Sequence, residues 1–504
     1  MSPKEAYQEL VTKMYDVSLI GSIGGVLGWE ERTYMPRQGA ELRARQQSLL
    51  AGMSHEHFTD PRIGELISTC ENTDLVKDPE SPEAVNIREW RHRYDKETKL
   101  PKKLVEEIAK TTSLAQGEWQ EARKRRDFKA FLPWLEKVVD LMKQSAEAYG
   151  YEGEPYNALL DNYEPGATTE EVAKVFADLR KDLVDLVARI KNAPKKPDVT
   201  IIERVYDKEL QRVFGESVAS AMGFDFNAGR LDVTTHPFCS GFGPGDTRIT
   251  TRYNAHRLND ALFGIMHEAG HALYEMGINK KDYFGTPMGD STSLGIHESQ
   301  SRMWENQVGR SKEFWVYFLP QAKRIFRDSL SDVSLDDFYG AINYVTPSYI
   351  RVEADEATYN LHIMLRFELE RALLTGDLKP ADVPGEWNKR FKEYFGLEVD
   401  HDAHGCLQDV HWAAGLLGYF PTYALGNLYS AQFFAKARQD IPDLMEQFKR
   451  GEFSNLLNWL RKNIHQHGCR YRAQDLGKKV TGQPLSHKPL MEYMEKKFGE
   501  IYGI

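Results

Sequence analysis

The chain has 504 residues, 28% charged and 41% hydrophobic, with a formal net charge of −10 at pH 7. That length supports two or three average domains or one large enzyme body, and the charged and apolar fractions are those of a soluble globular protein. The negative charge is spread along the chain rather than gathered in a tail, which argues against nucleic acid or an anionic membrane as main partner.

From the N-terminus, "MSPKEAYQEL" carries acidic residues and no apolar stretch of the kind a secretory signal needs. The four cysteines, Cys70, Cys239, Cys406 and Cys469, form no CxxC pair and read as reduced, buried thiols of a cytosolic protein. Helical periodicity then dominates. "PKKLVEEIAKTTSLAQGEWQEARKRRDF" repeats its apolar residues every three or four positions, and Lys174 to Ile190 predicts an amphipathic helix behind a capped start at Thr168-Thr169-Glu170-Glu171. "NAPKKPD" (192–198) is the best break in a chain with no linker, repeat or low-complexity tract. "DVTIIERVYD" reads as a strand, and Arg230 to Tyr253, with alternation and glycines, as short strands joined by turns.

Next comes "RLNDALFGIMHEAGHALYEMG", a helix with Leu258, Leu262, Ile265, Met266, Ala269, Leu273 and Met276 on its apolar side and Gly277 as its stop. On it His267 and His271 lie one turn apart on one face, so their imidazoles can converge on one ion. Glu268 sits about 100° round the helix, where a general base for a metal-activated water belongs. A catalytic zinc takes three protein ligands. The third candidate is Glu298 in "GIHESQSRMWENQVGRS", with Arg302 four residues on to orient the carboxylate and His297 as rival ligand. "LDDFYGAINYVTPSYI" reads as a further helix. Val410 to Ala435 holds no Asp, Glu, Lys or Arg, but its glycines, Pro421, Asn427 and Gln432 suit a cavity-lining core segment better than a membrane span. Together these elements predict one mainly helical body with a small β-sheet near its middle, a single domain over 1–504.

Beyond the zinc motif, "HPF" (His236 to Phe238), "DTRIT" (Asp246 to Thr250), "HEAGH", "HESQ", "IRVEAD" (Ile350 to Asp355) and "GCLQDVHW" (Gly405 to Trp412) follow in this order. "YNALLDNYEPG" and "GYFPTYALGN" accompany them. In this set the chain resembles the carboxypeptidase Taq family of metallocarboxypeptidases. The resemblance implies a saddle-shaped, largely helical zincin with a deep groove, a homodimer, and release of single C-terminal residues with broad specificity and proline disfavoured. It implies Arg351 as the group holding the substrate's terminal carboxylate, a task that suits a bidentate guanidinium, with Arg248 as second candidate. His411 and Tyr423 are the available donors for the oxyanion, and Gln408 and His236 are subsite candidates. The expected cofactor is one Zn2+ per chain, with Co2+ or Mn2+ fitting a similar ligand set. Peptides are the expected partners and the cytoplasm the expected compartment. Two other readings stay open, an oligopeptidase or dipeptidyl carboxypeptidase on the same scaffold and a non-catalytic metal-binding protein.

Overall fold

The computed structural model describes residues 1–504. Its chain divides into two compact units, each assembled from three separated segments: Met1–Glu97, Asp198–Ile342 and Phe433–Gly482 in the first, Thr98–Pro197, Asn343–Gln432 and Gln483–Ile504 in the second. One crossing falls inside 192–198, the break expected from the sequence.

The first unit begins with α1 (Pro3–Thr33), started by a reciprocal cap in which Ser2 accepts from the Glu5 amide and the Glu5 side chain accepts from that of Ser2. It packs against α2 (Ala40–Phe58), and Ser22 donates to the carbonyl of Phe242 at 2.6 Å, tying α1 to the sheet. The sheet has three strands, β1 (Gly229–Val233), β2 (Cys239–Gly243) and β3 (Asp246–Thr251), in the order β1-β3-β2. β1 runs parallel to β3, and β2 pairs with it antiparallel. The sheet supports α3 (Leu258–Gly277), whose apolar side is buried from Leu258 to Leu273 as its spacing predicts, with Met276 half-buried. Gly270 lets α3 approach α4 (Leu294–Arg302) closely, because a Cβ there would lie 2.6 Å from Ser301 Cα and 2.7 Å from the carbonyl oxygen of Gln300. α4 is capped by Ser293, which accepts from the Ile296 amide, and runs on into a π-helical turn over Met303–Val308.

In the second unit the capped helix appears as Thr169–Asn192, with Thr168 accepting from the amide of Glu171. At its centre α5 (Tyr359–Thr375) is buried almost all round, which is why it shows so little amphipathic patterning. The uncharged stretch turns repeatedly up to Phe420 and then enters α6 (Pro421–Asp440), whose residues up to Gln432 are nearly all buried in the fold.

Two sequence expectations are corrected. "DVTIIERVYD" contains a short helix, Thr200–Glu203, because Asp198 accepts from both the amide and the hydroxyl of Thr200 and turns the chain where β-branched residues suggested a strand. "LDDFYGAINYVTPSYI" is helical only over Leu335–Ile342, and the Val345 amide bonds instead to the Tyr502 hydroxyl. Pro347 disfavours helix at the residue before it.

Candidate active site

In the first unit the close approach at Gly270 brings three ligand atoms, from His267, His271 and Glu298, within 4.8 Å of one another. Glu298 Oε2 lies 3.7 Å from Nε2 of His267 and 3.4 Å from Nε2 of His271. Tetrahedral ligands on bonds of 2.0–2.1 Å stand about 3.3–3.4 Å apart, so the three donors fit a divalent cation of zinc-like size. The outer nitrogens are already engaged, His267 Nδ1 with Glu305 at 2.9 Å and His271 Nδ1 with His297 Nδ1 at 2.6 Å. Each Nε2 therefore remains for an ion. His297 stands behind His271, so of the two adjacent candidates Glu298 is the one whose oxygen faces both histidines.

Arg302 donates to Glu298 Oε1 at 2.7 Å, the orienting bond expected from the four-residue spacing, and Ser301 donates to Oε2 at 3.2 Å. Burial would raise the Glu298 carboxyl, yet Arg302 and the two histidines hold it well below the usual range, so it stays ionised, as holding a cation would require. Glu268, on the same helix turn, is 6% exposed, and burial, joined by the charges of Glu298 and Glu305, pushes its carboxyl up to about 7. A carboxylate poised there can take a proton and return it near neutral pH.

In the second unit Arg351 is 6% exposed and its guanidinium rests on Asp409, with Nε at 3.0 Å and Nη2 at 2.8 Å from Oδ1. Two acidic residues, Glu353 and Asp355, lie close to Arg351 in sequence. Asp355 instead accepts from the amides of Thr346, Ala357 and Thr358. Fully buried Arg366 shares Asp409 through Nε at 2.7 Å. Two guanidinium groups and one carboxylate leave this buried cluster with one positive charge in excess. His411 does not add to it, because burial and the two arginines push its pKa down to about 4. His411 Nε2 lies 3.5 Å from the Tyr423 hydroxyl, Tyr423 and Phe420 lie under the Arg351 guanidinium, and Gln408 Oε1 accepts from the Arg351 amide at 2.9 Å. Arg351, Gln408, His411 and Tyr423 thus meet in one cluster.

Arg248 and His236, both in the first unit, are placed differently. Arg248 forms a bidentate pair with Asp246 at 2.8 Å through each nitrogen and stacks on Trp29 and Phe242. His236 is exposed. Sequence reasoning missed Glu305, Asp409, Arg366 and Glu275. Asp409 lies inside "GCLQDVHW", which was the available signal for it, whereas Arg366 sits in a helix buried almost all round and had none. Glu305 had none, since its approach to His267 comes from the π-helical turn.

A His2Glu set on paired helices, its histidines half-buried and its glutamate buried, with a carboxylate one residue past the first histidine, defines the metallopeptidase class. The comparisons narrow it. The profile of the carboxypeptidase Taq (M32) metallopeptidases matches residues 9–498. The chain is 48% identical to thermostable carboxypeptidase 1 of Thermus thermophilus over the full length of both, and 38% identical to carboxypeptidase 1 of Bacillus subtilis over 95% of each. It superposes on the M32 carboxypeptidase of Deinococcus radiodurans R1 with a TM-score of 0.96 and 40% identity, covering 99% of this chain and all of that one. The chain belongs to the M32 family and is a metallocarboxypeptidase.

Proposed function

We propose that this metallocarboxypeptidase removes single residues from peptide C-termini with broad specificity, accepting proline poorly. The ion is held by His267, His271 and Glu298, and the nitrogen-rich donor set and its spacing suit Zn2+, with Co2+ or Mn2+ as substitutes. When bound, it supplies Lewis-acid polarisation and makes water more acidic. Glu268 takes the proton of the attacking water at its carboxylate and passes it to the leaving amine nitrogen. His411 and Tyr423 donate to the developing oxyanion, His411 from its neutral form. Arg351 binds the terminal carboxylate, Gln408 holds the backbone that carries it, and His236 and Arg248 are outlying subsite residues.

The observation that carries the exopeptidase reading is the uncompensated positive charge of the Arg351–Asp409–Arg366 cluster, with Arg351 the member nearest Tyr423. An oligopeptidase has no use for such a cluster. A double cycle tests it. Arg351→Ala should cost free-acid peptides about 2–4 kcal/mol in kcat/KM, the scale of a lost buried charge pair, and should cost C-terminally amidated peptides far less. Equal losses would reduce Arg351 to a structural role. The whole chain acts as one enzyme in the cytoplasm, as a homodimer.

A further inference from the structure

His271 is backed by a longer chain of partners than His267. Its Nδ1 meets Nδ1 of His297 at 2.6 Å, and His297 Nε2 meets Glu275 Oε1 at 2.8 Å. Glu275 Oε2 is paired in turn with the ammonium of Lys280. If His271 Nε2 is to keep its lone pair facing Glu298, its Nδ1 must carry the hydrogen. It then donates to an unprotonated Nδ1 of His297, and the Nε2–H of His297 donates to Glu275. Only one tautomer of each ring satisfies all three contacts.

The surroundings fit this chain. Tyr274 packs edge-on against His297 with ring centroids 5.1 Å apart, which fixes the plane of that ring. A Cβ at Gly241 would lie 2.5 Å from Glu275 Oε2 and 3.1 Å from Lys280 Nζ, so the absence of a side chain on β2 leaves the ion pair its room. Glu275 and Lys280 line a cavity of about 710 Å3, so the charged end of the chain faces open space rather than the metal-facing side of His271. His267 has a shorter arrangement, a single bond to Glu305, which Arg302 also holds at 3.2 Å.

We propose that His297 and Glu275 are positioning residues for His271, acting through the sequence Lys280, Glu275, His297, His271 to fix its tautomer and ring plane. The inference rests on His267, His271 and Glu298 binding the metal. Zinc affinity of the full chain, measured by competition with a chromogenic chelator, tests it. His297→Leu should weaken zinc binding about 10- to 100-fold, the usual effect of losing an outer partner of a ligating imidazole. His297→Gln, which keeps an acceptor oxygen opposite Nδ1, should recover most of that loss. In long-range 15N–1H spectra of the zinc-free chain, the Nδ1–H tautomer of His271 should dominate in the parent and the Gln variant and mix with the Nε2–H tautomer in the Leu variant.

An affinity for His297→Leu within about twofold of the parent would overturn the proposal, and so would equal weakening by Leu and Gln, which would make His297 mere packing. Should the Leu variant fail to fold, Glu275→Gln decides. Several-fold weakening supports the chain, and parental affinity overturns it. Failure of the metal reading itself looks different, since the parent would then bind no zinc stoichiometrically or Glu298→Ala would bind it as tightly as the parent.

Discussion

Glu268 and Glu298 are both 6% exposed, yet their carboxyls move in opposite directions. For both, burial is the largest influence and raises the pKa. Glu298 has Arg302 at 2.7 Å and two imidazoles to offset it, whereas Glu268 is near two like charges and is left at about 7. Environment alone separates a ligand from a base on neighbouring helices. Replacing Glu268 by Gln deletes the base and no ligand. The variant should bind metal with parental stoichiometry, read by elemental analysis, and lose about 10^2–10^4-fold in kcat. A metal-loaded Gln variant with parental turnover would remove Glu268 from the mechanism.

At the scale of elements, three of the motifs that carry the family resemblance meet at one buried side chain, Glu370 on α5. Its carboxylate accepts from the Tyr156 hydroxyl at 2.7 Å, the Trp412 indole at 2.9 Å and the Gly418 amide at 3.1 Å. Gly418 has φ +94°, and a Cβ there would lie 2.8 Å from the Leu159 carbonyl carbon, so the segment before α6 can close on the Tyr156 turn only through glycine. Burial outweighs these bonds and pushes Glu370 up to about 7 from an ordinary value of 4.5. A folded-state pKa raised in this way contributes stability that is fully present below about 4.5 and lost as pH rises through about 7. Between pH 5 and pH 8 the parent should therefore lose up to about 3 kcal/mol relative to Glu370→Gln, read from urea midpoints. Parallel pH profiles would show that Glu370 ionises as an ordinary carboxyl.

The same elements show what the sequence could and could not convey. α3 was legible to its ends, and with it the facing of His267 and His271, because both follow from spacing along one helix. Glu298 could be chosen over His297 only as the better candidate, since which of two neighbours turns inward depends on how α4 meets α3 at Gly270. Asp409 was invisible as a partner of Arg351, lying 58 positions away with nothing local to signal it. The buried helix α5 hid Arg366 and Glu370 for a related reason. A segment enclosed on all sides has no polar face against which an inward charge stands out.

For the whole molecule, the exposed apolar surface of the first two helices bears on assembly. α1 exposes Leu19 at 40% and Ile23 at 54%, and α2 exposes Leu42 at 64% and Leu49 at 65%. α1 is also long and apolar enough to cross a membrane by length and composition. Exposed apolar residues grouped on two adjacent helices are the kind of patch that a second copy of the chain would cover. Light scattering should give a dimer at micromolar concentration, and Ile23→Asp with Leu49→Asp should give a folded monomer. A parent that is monomeric, or that partitions onto neutral vesicles through α1, would reject the dimer.

The claim on which the rest depends is that peptides are shortened one residue at a time from the C-terminus by a metal-dependent step. Mass spectrometry of a long synthetic peptide over a time course tests it directly, with the chain as purified, after chelation, and after zinc is restored. The account predicts a ladder of products that share the intact N-terminus and differ by single residues. The ladder should slow at the residue before a proline, disappear on chelation and return with zinc. Products that differ by dipeptides, internal fragments, or a ladder indifferent to chelation would contradict it.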